Sequence, residues 1–241
     1  MAGASRRQGA KSDPSVNNAR TLELLARDVS SCADCPRLVE WRSETARNKR
    51  AAYVNEDYWA RGVPGFGCPE ATVMFLGLAP AAHGANRTGR IFTGDRSGDW
   101  LFRALHRAGL ANQPTSIHRA DGLHLEGAWV TSAVKCAPPG NKPNPDERDR
   151  CRGFLIREFA ALTQLRVVVC LGSFAYEAAT SHFAVRPRPK FGHGVEVSTS
   201  TGLTLVCSFH PSQQNTFTGR LTEQMLDDVV HRAVSLAQID V

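Results

Sequence analysis

Residues 72–101 read TVMFLGLAPAAHGANRTGRIFTGDRSGDWL. The apolar run Val73 to Leu78 has strand length, the loop that follows is rich in Gly, His, Asn, Arg, Thr and Asp, and helical apolar spacing resumes at Trp100. A continuous apolar strand is one buried on both faces, as in a parallel sheet. Open α/β sheets bind ligands in the loops beyond the carboxyl ends of such strands. This stretch therefore predicts both the fold class and the place to look for function.

Working outward, three further runs have strand length and β-branched content: Ala128 to Val134, Val167 to Leu171 and Leu203 to Phe209. Helical patterns lie at Thr21 to Val29, Trp100 to Ala108, Pro145 to Leu162, Ser173 to Phe183 and Thr222 to Ala237. The third of these opens with Asn144 as a candidate N-cap, Pro145 at the first helical position and Asp146 and Glu147 in the first turn. The alternation predicts a three-layer α/β/α fold with a central parallel sheet of about four strands. Between the first helix and Gly67 the chain reads as charged and irregular.

The 241 residues, 42% of them hydrophobic, suffice for one substantial core. One domain is expected over residues 19–241, after a disordered basic arm over 1–18 (MAGASRRQGAKSDPSVNN). The formal net charge of +6 favours an anionic partner without naming it. No run approaches the length of a membrane span and the start lacks the apolar core of a signal peptide, so a cytoplasmic protein is expected, away from membranes. Seven cysteines are an odd number for a disulfide framework. Cys170 and Cys207 lie inside apolar runs and read as packed hydrophobes, and Cys68 stands alone. Cys32 and Cys35 form a C-x2-C pair, and Cys136 and Cys151 a second pair with fourteen residues between. Four thiolates suit zinc or an iron–sulfur cluster, and spacing leaves the two equally open.

In a parallel sheet the strand C-termini share one edge, so three Pro/Gly-rich loops should meet there: the opening block, CAPPGNKPNPDE from Cys136, and HPSQQNTFTGRL from His210. GLAPAAHGANRTGRIFTGDRSG, KCAPPGNKP and HPSQQNTFTGRLT, with VPGFG at Val63 to Gly67, together resemble the motifs of the uracil-DNA glycosylase superfamily. The likeness is greatest to its fifth, iron–sulfur-containing family and spans about Cys32 to Thr222. It implies a [4Fe–4S] cluster held by Cys32, Cys35, Cys136 and Cys151, with a structural rather than redox role.

The resemblance also assigns roles. A glycosylase must extrude its base, stack on its face and read its edge. Phe92 resembles the stacking phenylalanine, with Ala81, Ala82, His83 and Gly84 lining the pocket. His210 resembles the histidine that donates to the uracil carbonyl as negative charge develops. Many relatives carry an acid or amide in the first motif, where this chain has Ala81 and Ala82; Asp95 resembles the fifth-family aspartate that takes over. By itself Asp95 suits a structural acid, capping the helix of Trp100 or paired with Arg96, as well as it suits catalysis. In the fourth family an asparagine lies four residues before the third cluster cysteine, where Ser132 stands here; Asn141 resembles the fifth-family substitute, though Gly-Asn in a Pro-rich loop is also simply a turn. Gln213, Gln214, Asn215, Thr216 and Phe217 suit the gap left by a flipped base, with Arg87 and Arg220 placed for phosphates.

The expectation is a monomeric, monofunctional DNA repair glycosylase, nucleoid-associated, that hydrolyses uracil and other deaminated or modified bases from DNA to leave an abasic site. No lysine occupies a motif position suited to Schiff-base attack. Two rivals remain: a non-catalytic iron–sulfur or zinc nucleic-acid-binding module, and an iron–sulfur redox protein.

Overall fold

The computed structural model describes residues 14–238. The expected arm lies outside the described residues as far as residue 13. From Pro14 the chain is already helical, so Pro14 to Asn18 belong to α1 (Pro14–Ser31) and not to the arm. Asn18 Nδ2 donates to Thr163 Oγ1 at 2.9 Å, docking this first turn beside the long helix α5 (Pro145–Ala161).

The four apolar runs form the parallel centre of a six-stranded sheet: β2 (Val73–Gly77), β3 (Ala128–Ser132), β4 (Val167–Leu171) and β6 (Thr204–Ser208). Sheet order is β1-β3-β2-β4-β6-β5, with the two short edge strands β1 (Phe66–Gly67) and β5 (Glu196–Ser198) antiparallel to their neighbours. The sheet is thus mixed, with a parallel core of the expected size.

Alternation along each strand divides the core into two layers. Val73, Phe75, Val167, Val169 and Val206 face one apolar cluster that includes Leu101, Leu105, Val229 and Ala233. These last come from α4 (Arg96–Arg107) and α8 (Glu223–Gln238). Met74, Leu76, Val168, Cys170 and Leu205 face the other, with Leu22, Leu25, Leu155 and Tyr176 from α1, α5 and α6 (Ser173–His182). Helices on both faces confirm the three-layer reading. The pattern also accounts for Cys170 and Cys207, which are fully buried opposite one another on β4 and β6.

A helix occupies the segment expected to be irregular: α2 (Pro36–Arg47) begins at a proline just after Cys35. Two short helices complete the set used below. The opening block contains α3 (Ala85–Thr88), and the loop after His210 coils into α7 (Gln213–Phe217), whose N-cap Ser212 accepts from the Asn215 amide at 3.4 Å.

Candidate active site and candidate metal centre

The three loops converge at the carboxyl edge of the sheet. They enclose a cavity of about 190 Å³ lined by Leu78, Ala79 and Ala81 after β2, Ile91, Phe92, Asp95 and Ser97 further along the same block, Asn141 after β3, and His210 after β6.

Phe92 is buried and stands at φ +52°, a conformation costly for a side chain this large. Glycines make room for it. A Cβ on Gly77 would come within 2.8 Å of the Phe92 ring, and one on Gly98 within 1.9 Å of the Phe92 carbonyl oxygen. A buried polar clamp holds the turn in place. Arg90 donates to Thr93 Oγ1 at 2.9 Å, Ser116 Oγ at 2.9 Å and Asp121 Oδ2 at 2.8 Å. Burial opposes ionisation of Asp121, but the Arg90 guanidinium and the amides of Leu123 and Ile117 outweigh it and hold the carboxyl down at about 2. The Phe92 ring is stacked against His210 with centroids 5.8 Å apart.

Asp95 serves two ends. It is the N-cap of α4, Oδ1 accepting from the Gly98 amide at 3.0 Å, and its carboxyl also lines the cavity. Burial pushes this carboxyl above the usual aspartate range, with the amides of Gly98 and Ser97 working against the rise. It is therefore a stronger base than a solvated carboxylate. Gly84 packs directly on it: a Cβ there would stand 2.1 Å from Asp95 Oδ2.

His210 is pushed down to about 4 by burial, so its imidazole is neutral at pH 7 and its ring N–H is a donor without carrying charge. Its carbonyl is pinned by Asn215 Nδ2 at 2.9 Å and by the Ser212 amide at 2.8 Å. Asn141 sits exposed at the rim with φ +56°, in the left-handed region that asparagine tolerates better than most residues.

Other expected site residues lie elsewhere. Arg87, expected at phosphates, is buried. It donates to the carbonyls of His83 at 2.8 Å and Gly94 at 3.0 Å, pairs with Glu56, and lies 3.9 Å from the Tyr53 ring centroid. Its donors are spent bracing the Asp95 turn. His83 does not line the cavity but bonds Tyr58 Oη through Nδ1 at 2.9 Å. Ala82 is likewise off the wall, its carbonyl accepting from Asn86. Ser132 is buried and donates to the Val134 carbonyl at 2.9 Å, so it is turned from the cavity. Gln213, Gln214 and Arg220 are exposed, and Phe217 is 68% exposed with the Arg96 guanidinium 4.2 Å from its ring centroid.

Sequence reasoning missed Ser97 and Ile91 in the cavity, and a second cavity of about 230 Å³ across the wall formed by Leu78 and His210. Phe174, Phe191 and Phe209 line it, with Gly172 and Ser173 at the start of α6 and Arg220 at 4.5 Å over the Phe209 ring. The glycine at φ +98° directly after β4 was the available signal.

Cys32, Cys35, Cys136 and Cys151 ring a separate cavity together with Leu38, Val134, Lys135 and Phe154. Burial raises all four thiols, Cys151 to about 12. Two nitrogens already point at sulfur: Arg42 Nη1 donates to Cys136 Sγ at 2.9 Å and the Lys135 amide to Cys151 Sγ at 3.2 Å. Arg42 Nε is buried without a partner. Soft thiol donors, sulfur-directed N–H groups and a spare buried donor fit a thiolate-bound metal group. The thiols surround a space instead of converging on a point. Among the described residues no three His, Cys, Asp or Glu are close enough to hold one ion.

The family model described as the uracil DNA glycosylase superfamily matches residues 64–233. The chain is 51% identical over 215 residues to the type-5 uracil-DNA glycosylase of Mycobacterium bovis, covering 88% of this chain and 80% of that one. It is 48% identical to the protein of the same name from Mycobacterium leprae, over 92% of this chain and 98% of that one. Identity to the Thermus thermophilus type-5 uracil-DNA glycosylase is also 48%, over 89% and 98% respectively.

Proposed function

From the premise that this chain belongs to the uracil-DNA glycosylase superfamily, we propose that Phe92, Asn141, His210 and Asp95 divide the work of excising a flipped base. The chain is a hydrolytic glycosylase that removes uracil in DNA repair. The observation that carries the residue assignment is the single cavity to which three separate loops contribute these four side chains.

The extruded base stacks on Phe92 and presents its edge to the Asn141 amide. As the C1′–N bond breaks, its electron pair passes to the base. The neutral His210 N–H donates to the base carbonyl on which that charge accumulates. The Asp95 carboxylate faces the sugar end. It stabilises the oxocarbenium-like sugar and polarises the water whose oxygen bonds C1′, taking up that water's proton. No lysine lines the cavity, which supports hydrolysis without strand cleavage. With the edge read from an exposed loop residue, the pocket accepts other deaminated or modified bases besides uracil.

Gln213, Gln214 and the exposed Phe217 fill the gap in the stack, Arg96 bracing Phe217, while Arg220 neutralises phosphate. Cys32, Cys35, Cys136 and Cys151 hold a [4Fe–4S] cluster. When bound, it supplies metal–thiolate bonds that tie the α1–α2 turn to α5 and the loop carrying Asn141. No described helix is long and apolar enough to cross a membrane. The exposed large apolar side chains Leu24, Val54, Ile117, Ile156 and Phe217 stand on five different segments, which supports a monomer; action on nucleoid DNA in the cytoplasm belongs to the same proposal. A purely DNA-binding module is disfavoured by a half-buried carboxyl and a neutral imidazole lining one cavity.

Cluster-loaded protein should excise uracil from duplex and single-stranded DNA in single-turnover assays, and hypoxanthine and ethenocytosine more slowly. Untouched uracil at enzyme excess would sink the activity. Full activity in Ala variants of Asp95, Asn141 and His210 would sink the residue roles alone. Visible absorption of the purified protein separates iron–sulfur from zinc.

A further inference from the structure

We propose that Arg42 is a positioning residue: its guanidinium clamps the cysteine centre, and its backbone carries that centre's order to the base pocket. The inference rests on the iron–sulfur reading of the four cysteines.

Arg42 stands on α2, about two turns beyond the N-cap Cys35, yet the residue is only 6% exposed. Nη1 donates to Cys136 Sγ at 2.9 Å and Nη2 to the Cys32 carbonyl at 3.0 Å. One planar group thus spans both cysteine pairs, whose segments are far apart in sequence. No carboxylate pairs with it among the described residues. A buried guanidinium without a counter-charge is strongly unfavourable. A cluster bound by four thiolates bears net negative charge, which supplies the counter-charge, and the orphaned Nε offers one more donor to it.

The other half of the link is main-chain. The Arg42 carbonyl accepts from Asn86 Nδ2 at 3.2 Å, and the same amide group reaches the Ala82 carbonyl at 3.3 Å. Asn86 is completely buried, and its backbone N–H donates to the Ala81 carbonyl at 3.0 Å. Ala81 lines the base cavity and Gly84, in the same turn, packs on the Asp95 carboxylate. A short chain of contacts therefore runs from Cys136 through Arg42 and Asn86 to the wall on which Asp95 rests.

The test compares wild-type holoprotein with R42M, R42K and N86A. Three things are measured: decay of visible absorption under an iron chelator, the reduction potential of the cluster, and amide hydrogen exchange of residues 81–88. R42M should lose its cluster at least about tenfold faster and show a more negative potential, because a positive donor to sulfur favours the added electron. R42K, keeping charge without the planar fork, should fall between. N86A should keep the wild-type potential and spectrum while residues 81–88 exchange faster, as they should in wild type once the cluster is stripped. Unchanged potential and retention in R42M, or exchange of 81–88 indifferent to both cluster removal and N86A, overturns the proposal. A wild-type protein with no iron–sulfur absorption overturns the cluster reading and this inference with it.

Discussion

Replacing Gly84 with alanine should disable Asp95 without touching it. The new methyl would lie 2.1 Å from Asp95 Oδ2 and 2.8 Å from its Cγ, whereas ordinary contact begins at 3.4 Å. The carboxyl must therefore retreat by about 1.3 Å, the difference between those two distances. Retreat is resisted by the 3.0 Å bond from the Gly98 amide to Oδ1. Giving up that cap costs about 1 kcal/mol of stability. A displacement on the order of 1 Å in a catalytic group costs about a hundredfold in rate, or about 2.7 kcal/mol of barrier. The assay is single-turnover excision from uracil-containing duplex by G84A, D95N and the double variant, with thermal unfolding of each. Asparagine caps helices as well as aspartate does, so D95N removes the charge and spares α4. The double variant should be no slower than D95N alone, the signature of two changes acting through one group. Rates that multiply, or a G84A enzyme at full speed, would refute the contact as the route of action.

His210, held down at about 4 by burial, should give an excision rate that shows no step near pH 6.5, where a solvated histidine titrates. Loss of its donor in H210A should cost about 10²–10³ in rate, while the acid limb, set by Asp95, remains. A step near pH 6.5 that vanishes in H210A would contradict the neutral imidazole. Arg220 and Arg87 should separate in a salt titration: R220A flattens the dependence of log K on log salt by about one unit. R87Q should leave that slope alone and lower the melting temperature instead, and a slope change in R87Q would return Arg87 to the DNA surface. Asp121 has its folded pKa depressed to about 2 from 3.8, so its contribution is present above pH 3.8 and is lost as pH falls through 2. It should amount to about 2 kcal/mol. The difference in unfolding free energy between wild type and D121N, followed from pH 5 to pH 2, should shrink across that window; a constant difference would place the effect elsewhere.

What the sequence conveyed and what it hid follow from how side chains advertise burial. The four central strands were legible because both faces of each are packed, leaving unbroken apolar runs such as Val167 to Leu171. The edge strands were not: β1 has two residues, and β5 buries only Val197 between exposed neighbours. α2 escaped notice for a more instructive reason. Its buried positions, Leu38, Arg42 and Thr45, have helical spacing, but two of the three are polar, and Arg42 meets a thiol and a carbonyl instead of a hydrocarbon core. A hydropathy pattern cannot register a helix whose inner face is mostly polar. The loops that meet could be foretold from parallel topology alone, but not the direction of each side chain within them. Arg87 and Arg220 look alike in sequence, yet one is walled in by Glu56 and two carbonyls while the other is open to solvent. Asp95 shows the opposite limit. Helix cap and cavity wall looked like alternatives, yet the carboxylate has two oxygens, Oδ1 on the Gly98 amide and Oδ2 against Gly84. In the proposed mechanism the capping bond fixes the group that the chemistry needs fixed, so the structural use of Asp95 would be a condition of the catalytic one.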